Sequence, residues 1–391
     1  MDNGNRQFAS MAFLWPALAA EATSELAAAT ARELVKLAVG ADTQETASRA
    51  PQWTTHNKIA LELPAVRLRD FSTRADGPVT LICAPFALHG ATIVDFAPGH
   101  SLVAALQGAG IGRMLVTDWR SATPEMRFWS IDDYLAALNV LVDELGAGAV
   151  DLIGLCQGGW MALTYAARFP AKIRKLVLAG APIDIGAGCC RLSELTSNTP
   201  SAFFAELVEL GGGRALGQHL LQFWAPEIER DEIHHLLQPT DAVESWRFCI
   251  LEARFRDWYA WTVDLPGAYY LQVVEQLFRE NRLAAGEFVA LGRRVDVSQI
   301  DGPLFLLAAS DDEVVAPEQL FAAERLITRG RRAAGKALYR AGTWGCSWDE
   351  TSSRRPGPTL SAGCSNQYEA AAALAAHAPT TPVATPINCF G

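Results

Sequence analysis

Residues 150–160 read V-D-L-I-G-L-C-Q-G-G-W. An apolar run stops at Gly154, Cys156 follows, and Gly158 and Gly159 come directly after. The run predicts a buried strand over 150–155. Gln157 to Phe169 predicts a helix that Pro170 stops. A strand and a helix joined through a single residue force a sharp turn at Cys156. Glycines on either side let the two elements close on a residue held in strained backbone. The frame G-x-C-x-G is therefore a nucleophile elbow with a thiol where serine is more usual. The backbone N–H of Gln157 then points into the site as one oxyanion donor. The helix N-terminus behind the sulfur is expected to favour the thiolate.

The elbow needs a parallel sheet around it, and the chain supplies one. Continuous apolar runs occur at Pro78–Phe86, Arg113–Trp119, Val150–Cys156, Ile173–Ile183, Pro303–Ser310 and Lys336–Arg340. Continuous rather than alternating runs are the pattern of strands buried on both faces. Between them lie helical periods. The clearest is Ile131–Leu145, with Asp132 and Asp133 in its first turn and Gly146 after its end. The expectation is an α/β fold of the hydrolase kind, a mostly parallel sheet with helices on both faces. Residues 186–290 break the alternation, read helical and carry many aromatics, among them Phe203, Trp224, Trp258, Tyr259 and Tyr269. They are expected to form a helical cap inserted into the core. The predicted organisation is an N-terminal helical extension over 1–57, with an amphipathic helix at 21–38. Core follows over 58–185, cap over 186–290, core again over 291–342, and an aperiodic tail over 343–391.

Composition narrows the function classes. With 391 residues, half of them apolar, the chain can bury a large core, and a formal net charge of −10 argues against a nucleic-acid surface. No stretch has the apolar length of a membrane span, and the short patch in M-A-F-L-W-P-A-L-A-A is too small for a signal-peptide core. The eight cysteines show neither disulfide-framework nor zinc spacing, which fits a reducing, cytoplasmic setting without metal or redox cofactor.

A nucleophilic cysteine needs a base and an acid that orients it. In this fold the acid follows a late strand. The segment G-P-L-F-L-L-A-A-S-D-D-E-V-V-A-P offers Asp311 and Asp312 there. Asp312 is the choice because D-x-V continues from it, and Asp311 reads as a loop or cap carboxylate. The second oxyanion donor is expected from the loop C-A-P-F-A-L-H-G-A, as a backbone N–H near Leu88. His89 in that loop reads as structural or pocket-lining.

The chain resembles the polyhydroxyalkanoate synthases, above all the short type that works with a partner subunit, and related α/β-hydrolase-like proteins described as depolymerases. The stretches that carry the resemblance are V-T-D-W-R, S-I-D-D-Y-L, D-L-I-G-L-C-Q-G-G, F-P-A-K-I-R-K-L-V-L, A-P-I-D-I and V-D-V-S-Q-I-D-G-P-L-F-L-L-A-A-S-D-D-E-V-V-A-P, between about residues 60 and 342. The resemblance implies that Cys156 attacks the thioester of an (R)-3-hydroxyacyl-CoA and releases CoA. The acyl group then passes to the hydroxyl end of a growing polyester, with Asp312 assisting at that hydroxyl or orienting the base. It also implies a second synthase subunit or a homodimer, and contact with a polyester granule surface. The Leu88-His89-Gly90 loop departs from the synthase pattern toward the H-G loops of lipases and esterases. A thiol esterase or depolymerase is therefore the alternative.

The third catalytic member is missing. Histidines stand at 56, 89, 100, 219, 234, 235 and 377. The family carries its base in a G-H-[LI]-G step after the last strand, where this chain has Gly342-Thr343-Trp344-Gly345. His377, in A-L-A-A-H-A-P, is too far along and reads as a tail residue. Back-translation offers a reason. Read two nucleotides later, the codons of Gly342 to Glu350 can encode H-L-G-L-F-M-G-R. A frameshift just upstream of codon 343 would explain both the missing base and the aperiodic tail. An inactive, shifted homologue is the third reading.

Overall fold

The computed structural model describes residues 30–32, 35, 50–224, 244–312, 314–328 and 335–342, with 244–249, 311, 328 and 335–342 as backbone only. The apolar runs become the parallel part of one eight-stranded sheet. Its strands are β1 (Lys58–Glu62), β2 (Val66–Asp70), β3 (Val79–Cys83), β4 (Arg113–Trp119), β5 (Val150–Leu155), β6 (Ile173–Ala179), β7 (Leu304–Asp311) and β8 (Gly335–Gly342). Their spatial order is β1-β2-β4-β3-β5-β6-β7-β8. β1–β2 and β2–β4 pair antiparallel, and every other neighbouring pair is parallel.

The two antiparallel strands were absent from the strands expected from apolar runs. K-I-A-L-E in β1 is exposed at four of its five positions, and V-R-L-R-D in β2 alternates buried and half-buried positions. β1 is the edge strand and β2 its antiparallel neighbour, and neither carries a continuous apolar run because their side chains meet solvent on one face or both.

Side-chain alternation splits the core into two layers. Leu81, Leu115, Leu152, Leu176, Leu178 and Leu306 face one layer, while Ile82, Met114, Val116, Ile153, Val177 and Leu307 face the other. Helix α1 (Leu102–Gly108) covers the second layer with Val103 and Leu106. Helices α2 (Ile131–Glu144) and α3 (Gln157–Arg168) cover the first with Leu135, Leu138, Trp160 and Leu163. The start of α2 is fixed by the Asp133 carboxylate, which accepts the Ser130 N–H at 2.7 Å, and Gly146 turns the chain away at φ 59°.

Between β6 and β7 the chain runs through α4 (Arg191–Asn198), α5 (Ser201–Leu210), α6 (Gly217–Trp224), α7 (Glu244–Ala260), α8 (Gly267–Gln272) and α9 (Arg282–Ala285). A π-helical turn, Val273–Arg279, continues α8. Helix α10 (Pro317–Thr328) then returns the chain from β7 to β8. Of the N-terminal helix expected at 21–38, only four positions are described, with Ala31 and Val35 buried and Arg32 paired to Glu206 at 3.2 Å. The expected tail at 343–391, and with it the shifted frame, lies outside the described residues. Among the described residues no helix is long and apolar enough to cross a membrane.

Candidate active site

The elbow is built by close approach. Cys156 takes φ 48° and ψ −119° between β5 and α3. That region strains any residue with a Cβ and persists only where its surroundings enforce it. The surroundings here are backbone. The Cys156 N–H donates to Ala179 O on β6 at 2.8 Å, and Cys156 O accepts from the Gly159 N–H at 2.8 Å. A Cβ at Gly158 would stand 2.2 Å from Cys83 O, and one at Gly159 would stand 2.3 Å from the Ala181 Cβ. Both glycines are therefore required by space, which is what lets the first turn of α3 sit against the ends of β3 and β6. The buried Gln157 side chain accepts the Trp160 indole N–H at 2.7 Å, and its backbone N–H lies beside the Cys156 sulfur.

Asp312 leaves the carboxyl end of β7. Its Oδ1 accepts the N–H groups of Val314 and Val315 at 2.9 and 3.0 Å, which closes a turn on its own side chain. Its Oδ2 lies 3.8 Å from where a Cβ would stand on Gly180, and Gly180 itself has φ 52°. Gly180 follows Ala179, the residue that holds the Cys156 N–H. Asp312 is thereby brought to the elbow, and its charge acts on the thiol. Asp311 pairs by backbone with Gly342 at the end of β8, so the described end of β8 lies one residue from Asp312 in register.

One expectation is corrected. The helix N-terminus behind Cys156 was expected to favour the thiolate. Burial instead pushes the thiol up to about 12, and the nearby Asp312 charge adds to the rise. The Gln157 N–H opposes both and loses. The residue keeps some exposed surface, but its sulfur is desolvated by packed neighbours, and a desolvated thiolate next to a carboxylate is doubly disfavoured. None of the four described histidines, His56, His89, His100 and His219, is among the groups acting on this thiol. His234, His235 and His377 lie outside the described residues.

Leu88 sits at the tip of the loop after β3, in left-handed backbone with φ 52°. The His89 N–H donates to Ala87 O at 2.5 Å across it, a γ-turn of the strained, positive-φ kind. The loop starts at the elbow, since β3 pairs with β5 at Cys83–Gly154. Phe86 anchors it from beneath, stacked on Tyr134 at 4.6 Å and beside Tyr269 at 5.2 Å. His89 is buried, and burial lowers its pKa to about 4, with the Trp261 backbone acting weakly the other way. It packs as a neutral ring, as expected of a structural residue. Sequence reading missed the residues that hold these groups, Ala179, Ala181 and Trp258, because ordinary Ala and Trp carry no signal of where they will pack. Among the described residues no cluster of His, Cys, Asp and Glu is arranged to hold a metal ion.

A sheet of this order, an elbow between β5 and α3 and an acid after β7 define the class. The chain matches the family model of the alpha/beta hydrolase fold over residues 108–345 and belongs to that family. Its relatives are more particular. It is 26% identical over 312 residues to the poly(3-hydroxyalkanoate) polymerase subunit PhaC of Haloferax mediterranei, covering 74% of this chain and 60% of that one. It is 28% identical over 254 residues to PhaC of Synechocystis, covering 61% of this chain and 65% of that one. The chain thus spans about three fifths of the length of these curated relatives. Among solved structures, a monoacylglycerol lipase of Paleococcus ferrophilus is 15% identical with a TM-score of 0.49, covering 80% of this chain and 99% of that one.

Proposed function

We propose that this chain is an acyltransferase of the polyhydroxyalkanoate-synthase type. Cys156 on its elbow, with Asp312 brought to the same sheet end, is the observation that carries the reading. The Cys156 sulfur attacks the acyl carbon of an (R)-3-hydroxyacyl-CoA, the bond to the CoA sulfur breaks, and the proton from Cys156 ends on the CoA thiol. The enzyme thioester is then attacked by a hydroxyl, either of a second hydroxyacyl group or of the growing polyester; the acyl–sulfur bond breaks, an ester forms, and the hydroxyl proton returns to the Cys156 thiol. Thioester exchange is nearly isoenergetic, so a thiol nucleophile keeps the acyl group ready for the next transfer. The backbone N–H groups of Gln157 and Leu88 are assigned to the developing oxyanion.

A thiol raised to about 12 cannot supply much thiolate at neutral pH and needs a base. Asp312 disfavours the thiolate, so its assigned role is at the attacking hydroxyl or behind the base rather than on the sulfur. The base is assigned to position 343, which follows β8 in the sequence, where the chain has threonine and the shifted frame has histidine. Sequencing the gene across codons 335–350 tests this first; an intact frame with no H-L-G alternative downstream sinks it. CoA release from 3-hydroxybutyryl-CoA, assayed beside ester hydrolysis for the full chain and for the frame-restored chain, then tests the function. CoA release with polymer formation supports the synthase. Hydrolysis alone favours the thiol esterase, the reading to which the Leu88-His89-Gly90 loop points. Silence of the frame-restored chain in both rejects the enzyme reading.

A further inference from the structure

The loop 87–90 touches two layers. Phe86 is seated in the sheet core and Leu88 packs against it, while Leu88, His89 and Gly90 are also held by the end of α7 and the residues that follow. Leu88 O accepts the Val263 N–H at 2.8 Å. His89 bridges Thr262 as a one-residue antiparallel pair. The His89 ring lies between Trp258, at 4.4 Å between centroids, and Tyr259, at 4.9 Å. The Trp258 indole N–H donates to Gly90 O at 3.3 Å, and Trp261 lies 3.8 Å from the Cβ position of Gly90. Trp258 is buried in a small cluster with Phe96, Ala97 and Phe255, apart from the two layers of the sheet core.

A positive-φ leucine at the tip of a γ-turn does not hold its shape alone. Neither ring nitrogen of His89 has a hydrogen-bond partner of good geometry among the described residues, although the Trp261 backbone acts on the ring, so the aromatic faces and the residues just after α7 hold it. Its fit therefore depends on α7 staying seated. We propose that Trp258 and His89 are positioning residues, a clamp through which the end of α7 holds the Leu88 turn in shape. Lifting this helix dismantles one half of the oxyanion hole, and seating it completes the hole. The catalytic consequence rests on the assignment of Leu88 as an oxyanion donor; the clamp itself does not.

The test uses the full chain with Trp258→Ala and Trp258→Phe. Amide hydrogen exchange is followed at His89 and Val263, whose N–H groups make the two loop hydrogen bonds. Trp258→Ala is expected to speed exchange at both by about tenfold or more, with β3 and α2 unchanged. Trp258→Phe keeps a ring against His89 and is expected to restore most of the protection. Unchanged exchange at His89 in folded Trp258→Ala overturns the proposal. Should that variant not fold, Trp258→Phe decides alone: it loses the indole N–H and must show a measurable rise, about threefold, or the clamp is rejected. Single-turnover acylation of Cys156 by 3-hydroxybutyryl-CoA, in the chain whose codon frame supplies the base, gives the second readout. Trp258→Ala is expected to lower the rate at saturating thioester and leave half-saturation within about twofold. Absence of acylation in the parent chain would count against the function, while the exchange data still judge the clamp.

Discussion

The Cys156 sulfur stands close enough to the Asp312 carboxylate that the acid's negative charge helps to hold the proton on the thiol. The pair is joined through Ala179 and Gly180, one holding the Cys156 backbone and the other lying against Asp312. An acid in this place works against the nucleophile's ionisation, so a third group must carry the proton.

The relationship is measurable without turnover. Asp312→Asn keeps the side-chain oxygen that accepts the Val314 and Val315 N–H groups and removes the charge. Alkylation of Cys156 by iodoacetamide, followed by peptide mass spectrometry between pH 7 and 9, is expected to run about three- to tenfold faster in the variant. Slower or equal alkylation would show that Asp312 does not act on this sulfur.

The elbow should tolerate no side chain at Gly158. Gly158→Ala sets a Cβ 2.2 Å from the main-chain oxygen of Cys83, which the sheet holds in place. A loss of roughly 2–4 kcal/mol is expected, read as a shift in urea midpoint at constant slope. A change under about 0.5 kcal/mol would mean that the turn is looser than described.

Strain at the nucleophile predicts a gain in stability when it is relieved. Cys156→Gly removes the Cβ from a residue at φ 48° and ψ −119° and should abolish acylation. Strain relief of about 1–3 kcal/mol exceeds the roughly 0.5–1 kcal/mol that glycine loses in chain entropy. A rise of about 1 kcal/mol in unfolding free energy is therefore expected, and a clear fall would contradict the strained turn.

His89 sets an acid limit. Its folded pKa is lowered from 6.5 to about 4 by burial, so between these values the unfolded chain binds a proton that the folded chain does not. Stability from this residue is therefore intact above pH 6.5 and falls as pH drops, by an amount on the order of 3 kcal/mol near pH 4. His89→Phe keeps an aromatic ring between Trp258 and Tyr259 and should flatten that part of the profile. An unaltered slope between pH 6.5 and 4 would mean that His89 titrates normally in the fold.

The parallel strands and the two helices that frame the elbow were legible because each is a local pattern. Val150–Leu155 is one apolar run, Ile131–Glu144 carries its own cap, and Pro170 ends α3 wherever the chain goes next. β1 and β2 were not legible because β1 lies at the sheet edge, largely exposed, and β2 beside it buries only some of its positions, so neither shows a continuous apolar run. Cys156, Gln157 and Asp312 could be chosen as candidates from motif and order, since each sits at a set place relative to its strand.

The ionisation of Cys156 was decided by tertiary structure. The sequence places a helix N-terminus behind the sulfur, a local effect that lowers a thiol pKa. Packing adds desolvation and a carboxylate 156 positions along the chain, which together outweigh the lowering by the Gln157 N–H. The same holds for Leu88, whose turn meets Trp258 of α7 and Val263 just after that helix, both far away in sequence. What the sequence determined by itself is the elbow, because strand, glycines and helix are contiguous and their backbone geometry is local. What only the folded chain decided is how firmly Cys156 holds its proton and the shape of the Leu88 turn, because both depend on groups that meet through space.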